Sequence, residues 1–167
     1  LEVLELPAGL VASSAQLERR ERAMKALVQA EPWSRAKSIV QTIADHLQHI
    51  ECFQGISEAG MDEVCQQATL GTVAAGGPIL TAGETPTSLQ VIMSGHAHVW
   101  TQGPYRSHAM AGSVLHQQAV NGDVLAELHP DDACGEWELC LPGRSVVYEK
   151  DVIASTPCTV MYISRAL

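Results

Sequence analysis

The spacing of the apolar residues changes once along this chain, near Thr69, and that change constrains the fold more than any single residue does. Before it, Ile39, Val40, Ile43, Leu47 and Ile50 recur at helical spacing. After it, Val73, Ile79, Leu80, Leu89, Val91, Met93, Val99, Val124, Leu125 and Leu128 fall in short apolar runs. Turn signals separate those runs: Gly76-Gly77-Pro78, Gly83-Glu84, Ser94-Gly95, Asn121-Gly122 and His129-Pro130. Short strands with frequent turns predict an all-β roll or jelly roll, here preceded by helices. The fold class is α+β, mainly β.

The helical part divides further. Residues 1–12 are apolar, with Pro7 and Gly9, and carry no clear period. Ser13 followed by Gln16 fits a capping box, and a helix then runs through Leu17, Met24, Leu27 and Val28. Its other face is charged, from Glu18 to Arg22, and Pro32 ends it. A second helix starts near Ser34. Phe53 and Gly55 form a tight connection, and Ser57 is the N-cap of a third helix, with Ile56 and Met61 at the staple positions. This gives an N-terminal extension over 1–33 and a second domain over 34–167, with helices in 34–68 and a β-roll in 69–165. Residues 102–120, rich in Gly, Ser, His and Gln, read as a long loop. The last strands are expected over Asp151–Ser155 and Thr159–Ser164.

Composition excludes several classes. The chain of 167 residues carries 19 acidic and 10 basic side chains, a net charge of −9. An acidic surface repels phosphate backbones, so no nucleic-acid partner is expected. No apolar run is long enough to cross a bilayer, and no signal peptide is evident. Five cysteines, with no C-x-x-C pair, speak against zinc and for buried, reduced thiols in a cytoplasmic protein. Beginning at Leu1, the sequence reads as a piece of a longer protein, so other domains of that protein and further protein partners are expected.

Cys134-Gly135-Glu136-Trp137-Glu138-Leu139 is where chemistry concentrates. A glycine lets backbone N–H groups approach an anion closely. The following glutamate can accept hydrogen bonds from a sugar hydroxyl. That pair suits a cyclic ribose phosphate.

Four segments, in order, resemble the cyclic nucleotide-binding domain family of kinase regulatory subunits, gated channels and bacterial catabolite regulators. They are Phe53-Gln54-Gly55-Ile56-Ser57; Gly83-Glu84 with Leu89-Gln90-Val91-Ile92-Met93-Ser94-Gly95; Leu125-Ala126-Glu127-Leu128 before Cys134-Gly135-Glu136; and Val152-Ile153-Ala154 with Cys158-Thr159-Val160-Met161-Tyr162. The likeness covers roughly residues 35–165 and implies an eight-strand β-roll. It implies that Gly135 offers N–H groups to a phosphate and Glu136 accepts the ribose 2′-OH. The implied ligand set is Gly135, Glu136, Glu138, Leu139, Arg144, Ser145 and Tyr148, with Gly83 and Glu84 forming a turn near the pocket. Helices that cap the base in the family have no counterpart before Leu167.

The cassette departs from the family in its charge. Glu138 stands where an alanine is usual. Counting back from Val152, the arginine that should face the phosphate falls on Tyr148; the nearest arginine is Arg144. Either the cassette is longer and Tyr148 replaces the arginine, or Arg144 serves and the extra residues follow it. The first is preferred because strand register is harder to shift than a loop. An Arg–phosphate contact contributes roughly 1.5–3 kcal/mol. A carboxylate about 4 Å from the phosphate opposes binding by about 4 kcal/mol at an effective dielectric of 20. The expected loss is at least about a hundredfold in affinity. cAMP and cGMP are therefore expected to bind weakly or not at all, with no cofactor.

The function implied is a non-enzymatic regulatory or scaffold module acting through protein interaction. The alternative is a working cyclic nucleotide sensor using Gly135, Glu136 and Arg144, or a sensor of an uncharged nucleoside. The Ala-rich text, the paired N-terminal helices and the altered cassette are also similar to domains of flagellar and axonemal proteins, which implies a cilium or flagellum.

Other features read more plainly. His96-Ala97-His98 puts two imidazoles on one strand face, as in cupin metal enzymes. That pattern wants a glycine and a glutamate where Gln90 and Gln102 stand, so no metal site is assigned. Glu84 reads as a turn residue and Cys134 as core. Glu136 either binds a ribose or caps a short helix, and Trp137 is either a partner contact or core. No Ser-His-Asp order, P-loop or paired-carboxylate cleft points to catalysis.

Overall fold

The computed structural model describes residues 8–101, 123–135 and 147–164. The chain divides into two compact units, 1–68 and 69–167. Among the described residues there are three α-helices and eight strands. No helix among them is long and apolar enough to cross a membrane.

In the first unit α1 spans Ala8–Gln29. It begins ahead of the expected cap, so Ser13 lies inside the helix rather than at its start. Once a helix has nucleated, each further residue adds a hydrogen bond at little cost. Ala23, Ala26 and Leu27 of α1 are buried. Pro32–Ser34 forms a separate 3₁₀ turn, and α2 spans Lys37–Leu47. The expected start near Ser34 is therefore three residues early, because Arg35 and Ala36 are extended. Val40, Ile43, Ala44 and Leu47 of α2 are buried, as their spacing requires. Ile50 lies beyond the helix but is still buried. α3 spans Glu58–Gln67, and its N-cap Ser57 accepts the Gly60 N–H at 3.2 Å. Met61 and Cys65 face inward, whereas Ile56 is exposed.

Arg35 ties α1 to α3 near their C-terminal ends. Its guanidinium donates to the Cys65 carbonyl at 2.6 Å and to the Leu27 carbonyl at 3.4 Å. The last carbonyls of a helix have no intrahelical partner, so a buried cation there is well placed. Burial lowers the Arg35 pKa, and the neighbouring Cys65 and Glu31 oppose that shift.

Cys65 is fully buried, and burial, with Asp62 adding to it, pushes its thiol from 9.0 up to about 12; Arg35 opposes the shift. Above pH 9 an unfolded thiol loses its proton while the folded one keeps it. The unfolded state then binds fewer protons, so stability falls as pH rises from 9 towards 12. At about pH 10 the folded state should have lost about 1.4 kcal/mol from this group. Urea unfolding at about pH 7 and about pH 10 should show wild type losing that much more than Cys65→Ala. Equal losses would refute the assignment.

The second unit is two four-stranded sheets, with β1 (Ala68–Val73) beginning at the boundary. The other strands are β2 (Pro78–Leu80), β3 (Ser88–Ser94), β4 (Ala97–Trp100), β5 (Val124–Leu128), β6 (Ala133–Cys134), β7 (Asp151–Ala154) and β8 (Cys158–Ser164). One sheet runs β1-β8-β3-β6 and the other β2-β7-β4-β5. β3 pairs antiparallel with β8 from Ser88↔Ser164 to Ile92↔Val160. Inward residues of both sheets form one core: Ile79, Leu80, Ile92, Ala97, Tyr148, Val152, Ala154, Cys158 and Val160. The period of two decides the faces. In β4, Ala97 and Val99 face this core, while His98 and Trp100 alternate with them. The loop expected over 102–120 lies outside the described residues.

Candidate functional site

The site is built at the end of β6. That strand is short, and its register against β3 is Gln90↔Cys134 and Val91↔Ala133. A turn positions it. Ile92 donates to the Asp132 carbonyl at 2.9 Å and accepts from the Asp131 N–H at 2.8 Å. Asp131 sits at φ 79, in the left-handed region. The chain then leaves β6 at Gly135 with φ +84.

Gly135 is needed for space as well as for conformation. A Cβ there would lie 2.7 Å from Gln90 Oε1, 3.3 Å from Tyr148 Cε1 and 3.4 Å from the Ser88 carbonyl oxygen. Gln90 is 3% exposed. Its amide donates to Ser88 Oγ at 2.8 Å, and its Oε1 is buried with no partner among the described residues. Tyr148 is buried, and its hydroxyl donates to the Ser88 carbonyl at 3.0 Å. Two oxygen acceptors and the edge of a phenol ring therefore crowd the cassette glycine.

The Gly83-Glu84 turn joins this cluster through the backbone. The Gly83 N–H donates to the Tyr148 carbonyl at 2.8 Å, and the Tyr148 N–H donates to the Glu84 carbonyl at 2.9 Å. Asp151, at 1% exposure, accepts the Ala82 N–H through Oδ1 and fixes the turn from the β7 side. The Glu84 side chain is exposed.

Of the residues singled out in the sequence, the fold thus brings together Gly135, Tyr148, Gly83 and Glu84. Glu136, Trp137, Glu138, Leu139, Arg144 and Ser145 lie outside the described residues. Gln90 and Ser88 were not singled out as site residues. Their signal is a polar residue in step with inward-facing Ile92 on β3, visible only once the strand's faces are known. Cys134 is half-buried against the core, and the buried Cys158 thiol donates to the His96 carbonyl at 3.1 Å. Burial raises the Cys158 pKa despite its hydrogen bonds to His96 and Thr156. Burial also raises the Tyr162 pKa, with Cys134 and Cys158 adding to it. Cys52, Cys65, Cys134 and Cys158 are in no disulfide.

His96 precedes β4 and His98 lies within it. The nearest imidazole partner of His96 is His129, with ring centroids 5.2 Å apart and nearly perpendicular. His98 packs edge-on against Trp100, at 6.4 Å.

No family profile matches the sequence, and no curated protein matches it. Solved structures do. PKAR CBD2 with bound Sp-2Cl-cAMPS is similar at a TM-score of 0.53 and 16% identity, over 75% of this chain and 71% of that one. The sensor domain of the transcriptional regulator DNR from Pseudomonas aeruginosa gives 0.58 and 14%, over 76% and 74%. The regulatory subunit of a cAMP-independent protein kinase A from Trypanosoma cruzi, bound to guanosine, gives 0.54 and 17%, over 90% of this chain but 40% of that one. The chain therefore has the cyclic nucleotide-binding domain fold: a β-roll of two antiparallel sheets with helices before it.

Proposed function

We propose that this chain is a non-enzymatic regulatory module of a larger protein, in which cyclic nucleotide binding is weak or lost and protein interaction has become the main role. The carrying observation is the crowding at Gly135. A phosphate-binding glycine needs open space lined by N–H donors. Here the space beside it holds Gln90 Oε1 and the Ser88 carbonyl oxygen. Both present the negative end of a dipole, which repels an anion. The cilium or flagellum setting belongs to the same proposal and is supported only by the sequence resemblance.

A second reading has its own support. Gln90 Oε1 is a buried acceptor without a partner among the described residues, and such a group gains from any donor that reaches it. A nucleoside offers hydroxyl and amino donors without a phosphate charge. The trypanosomal neighbour is recorded with guanosine.

Calorimetric titration with cAMP, cGMP, adenosine and guanosine tests both readings. The expected result is no micromolar binding of either cyclic nucleotide. Micromolar cAMP binding that Arg144→Ala abolishes would overturn the leading reading and assign the phosphate to Arg144. Nucleoside binding that Gln90→Leu weakens tenfold would establish the second.

A further inference from the structure

We propose a divalent transition-metal site on the outer face of the β4–β5 hairpin, formed by His96, Glu127 and His129. The ligand atoms of these three side chains all lie within 4.8 Å of one another. The strand register explains why. β5 pairs with β4 as Ala97↔Leu128 and His98↔Glu127, and the same register carried one residue further sets His96 opposite His129. Glu127 on β5 and His129 just past its end are two residues apart, so they share a face. Directly opposed and diagonal pairs on such a face are close enough to share a ligand. The alternate residues Ala97 and Leu128 belong to the core side. This face is therefore the one turned away from the core.

Both histidine backbones are held. The His96 carbonyl accepts from Ser155 N at 2.9 Å, Ser155 Oγ at 3.0 Å and Cys158 Sγ at 3.1 Å, and its N–H donates to Thr156 Oγ1 at 2.9 Å. The His129 N–H donates to Asp132 Oδ2 at 2.7 Å, and the same carboxylate stands 3.8 Å from His129 Nδ1. A carboxylate beside one ring nitrogen is the usual outer-shell partner of a metal-bound histidine, leaving the other nitrogen for the metal.

The donor set selects the cation. Two imidazoles and one carboxylate suit Zn²⁺, Co²⁺, Ni²⁺ or Cu²⁺. Ca²⁺ and Mg²⁺ want oxygen ligands throughout. A tetrahedral Zn²⁺ with bonds of about 2.0–2.1 Å needs its ligand atoms about 3.3 Å apart. Rotation of exposed side chains closes the remaining distance without moving the strands. Three protein ligands leave at least one position open to water or to a donor from another molecule. The partners of His96 are Glu127 and His129, from the chain facing it across the β4–β5 pair, and not His98 or the positions a cupin uses.

The test is titration of the tag-free chain with Zn²⁺ by calorimetry and with Co²⁺ by visible absorption. One equivalent should bind with micromolar or tighter affinity, and Co²⁺ should develop the absorption of a nitrogen- and oxygen-ligated ion. His96→Ala, Glu127→Gln and His129→Ala should each weaken binding at least tenfold. His98→Ala should change it less than threefold. All four positions lie on the outer face, and thermal melting confirms that the variants fold. No binding by the folded wild type would overturn the proposal. Binding that His96→Ala and His129→Ala leave unchanged would do the same, by placing the ion on other histidines.

Discussion

Gly95→Ala is expected to destabilise the protein by about 3–4 kcal/mol, and the reason is a lock between two turns. Gly95 joins β3 to β4 at φ +83. An alanine held there pays about 1–2 kcal/mol for the left-handed conformation alone. Its Cβ would also overlap the Pro157 carbonyl oxygen and lie 2.9 Å from Cys158 Sγ and 3.0 Å from Cys158 Cα. Most of those atoms are backbone or close to it, so they cannot swing aside as a long side chain would. Nor can the turn from β7 to β8 retreat, because Ser155 and Thr156 both donate backbone N–H groups to the His96 carbonyl. Overpacking of this kind costs a further 1–3 kcal/mol. Urea denaturation should show the loss as a lower midpoint with an unchanged slope, and thermal melting as a fall on the order of 10 °C. A loss below about 1 kcal/mol would mean that the two turns are free to separate.

That lock shows which features a sequence displays. Ser94-Gly95 was legible as a turn, because a glycine between two apolar runs has few other uses. Strand positions were legible for the same reason: β7 and β8 fall within a residue of expectation, since Val152, Ile153, Val160 and Met161 are apolar and bounded by Ser155, Thr156 and Pro157. Ser57 was legible as a cap because its side chain acts within three residues of itself. Helix starts were less so. Ser13 and Gln16 offer a local capping pattern, yet helix propagation carries α1 back to Ala8. The site was legible only in part. Gly135, Gly83 and Glu84 stand out by residue type. Gln90 and Ser88 do not, because their role depends on the pairing of β3 with β6. His129 and Glu127 reach His96 only through a register set across residues 102–122, which no local spacing encodes.

Ile92→Ala should be comparably damaging, at about 3–5 kcal/mol, and it tests whether the core and the cassette are one structure. Ile92 is fully buried and faces Val160 across the β3–β8 pair. Truncating a buried isoleucine loses its transfer free energy and leaves a cavity, which together cost about 2–5 kcal/mol. The cost lies near the upper end because the Ile92 side chain is fully buried in the core shared by both sheets. The main chain of Ile92 also exchanges hydrogen bonds with Asp131 and Asp132, the turn that delivers β6 and hence Gly135. Loosening Ile92 should therefore loosen the cassette glycine. Hydrogen exchange should show the amides of Ile92 and Asp131 less protected in Ile92→Ala, by more than the global loss of stability explains. Ile92→Val, which keeps the β-branched shape and loses one methyl group, should cost about 1 kcal/mol and leave those amides protected. If Ile92→Ala lowers global stability while Asp131 keeps its relative protection, the turn before Gly135 is held by contacts other than these two hydrogen bonds.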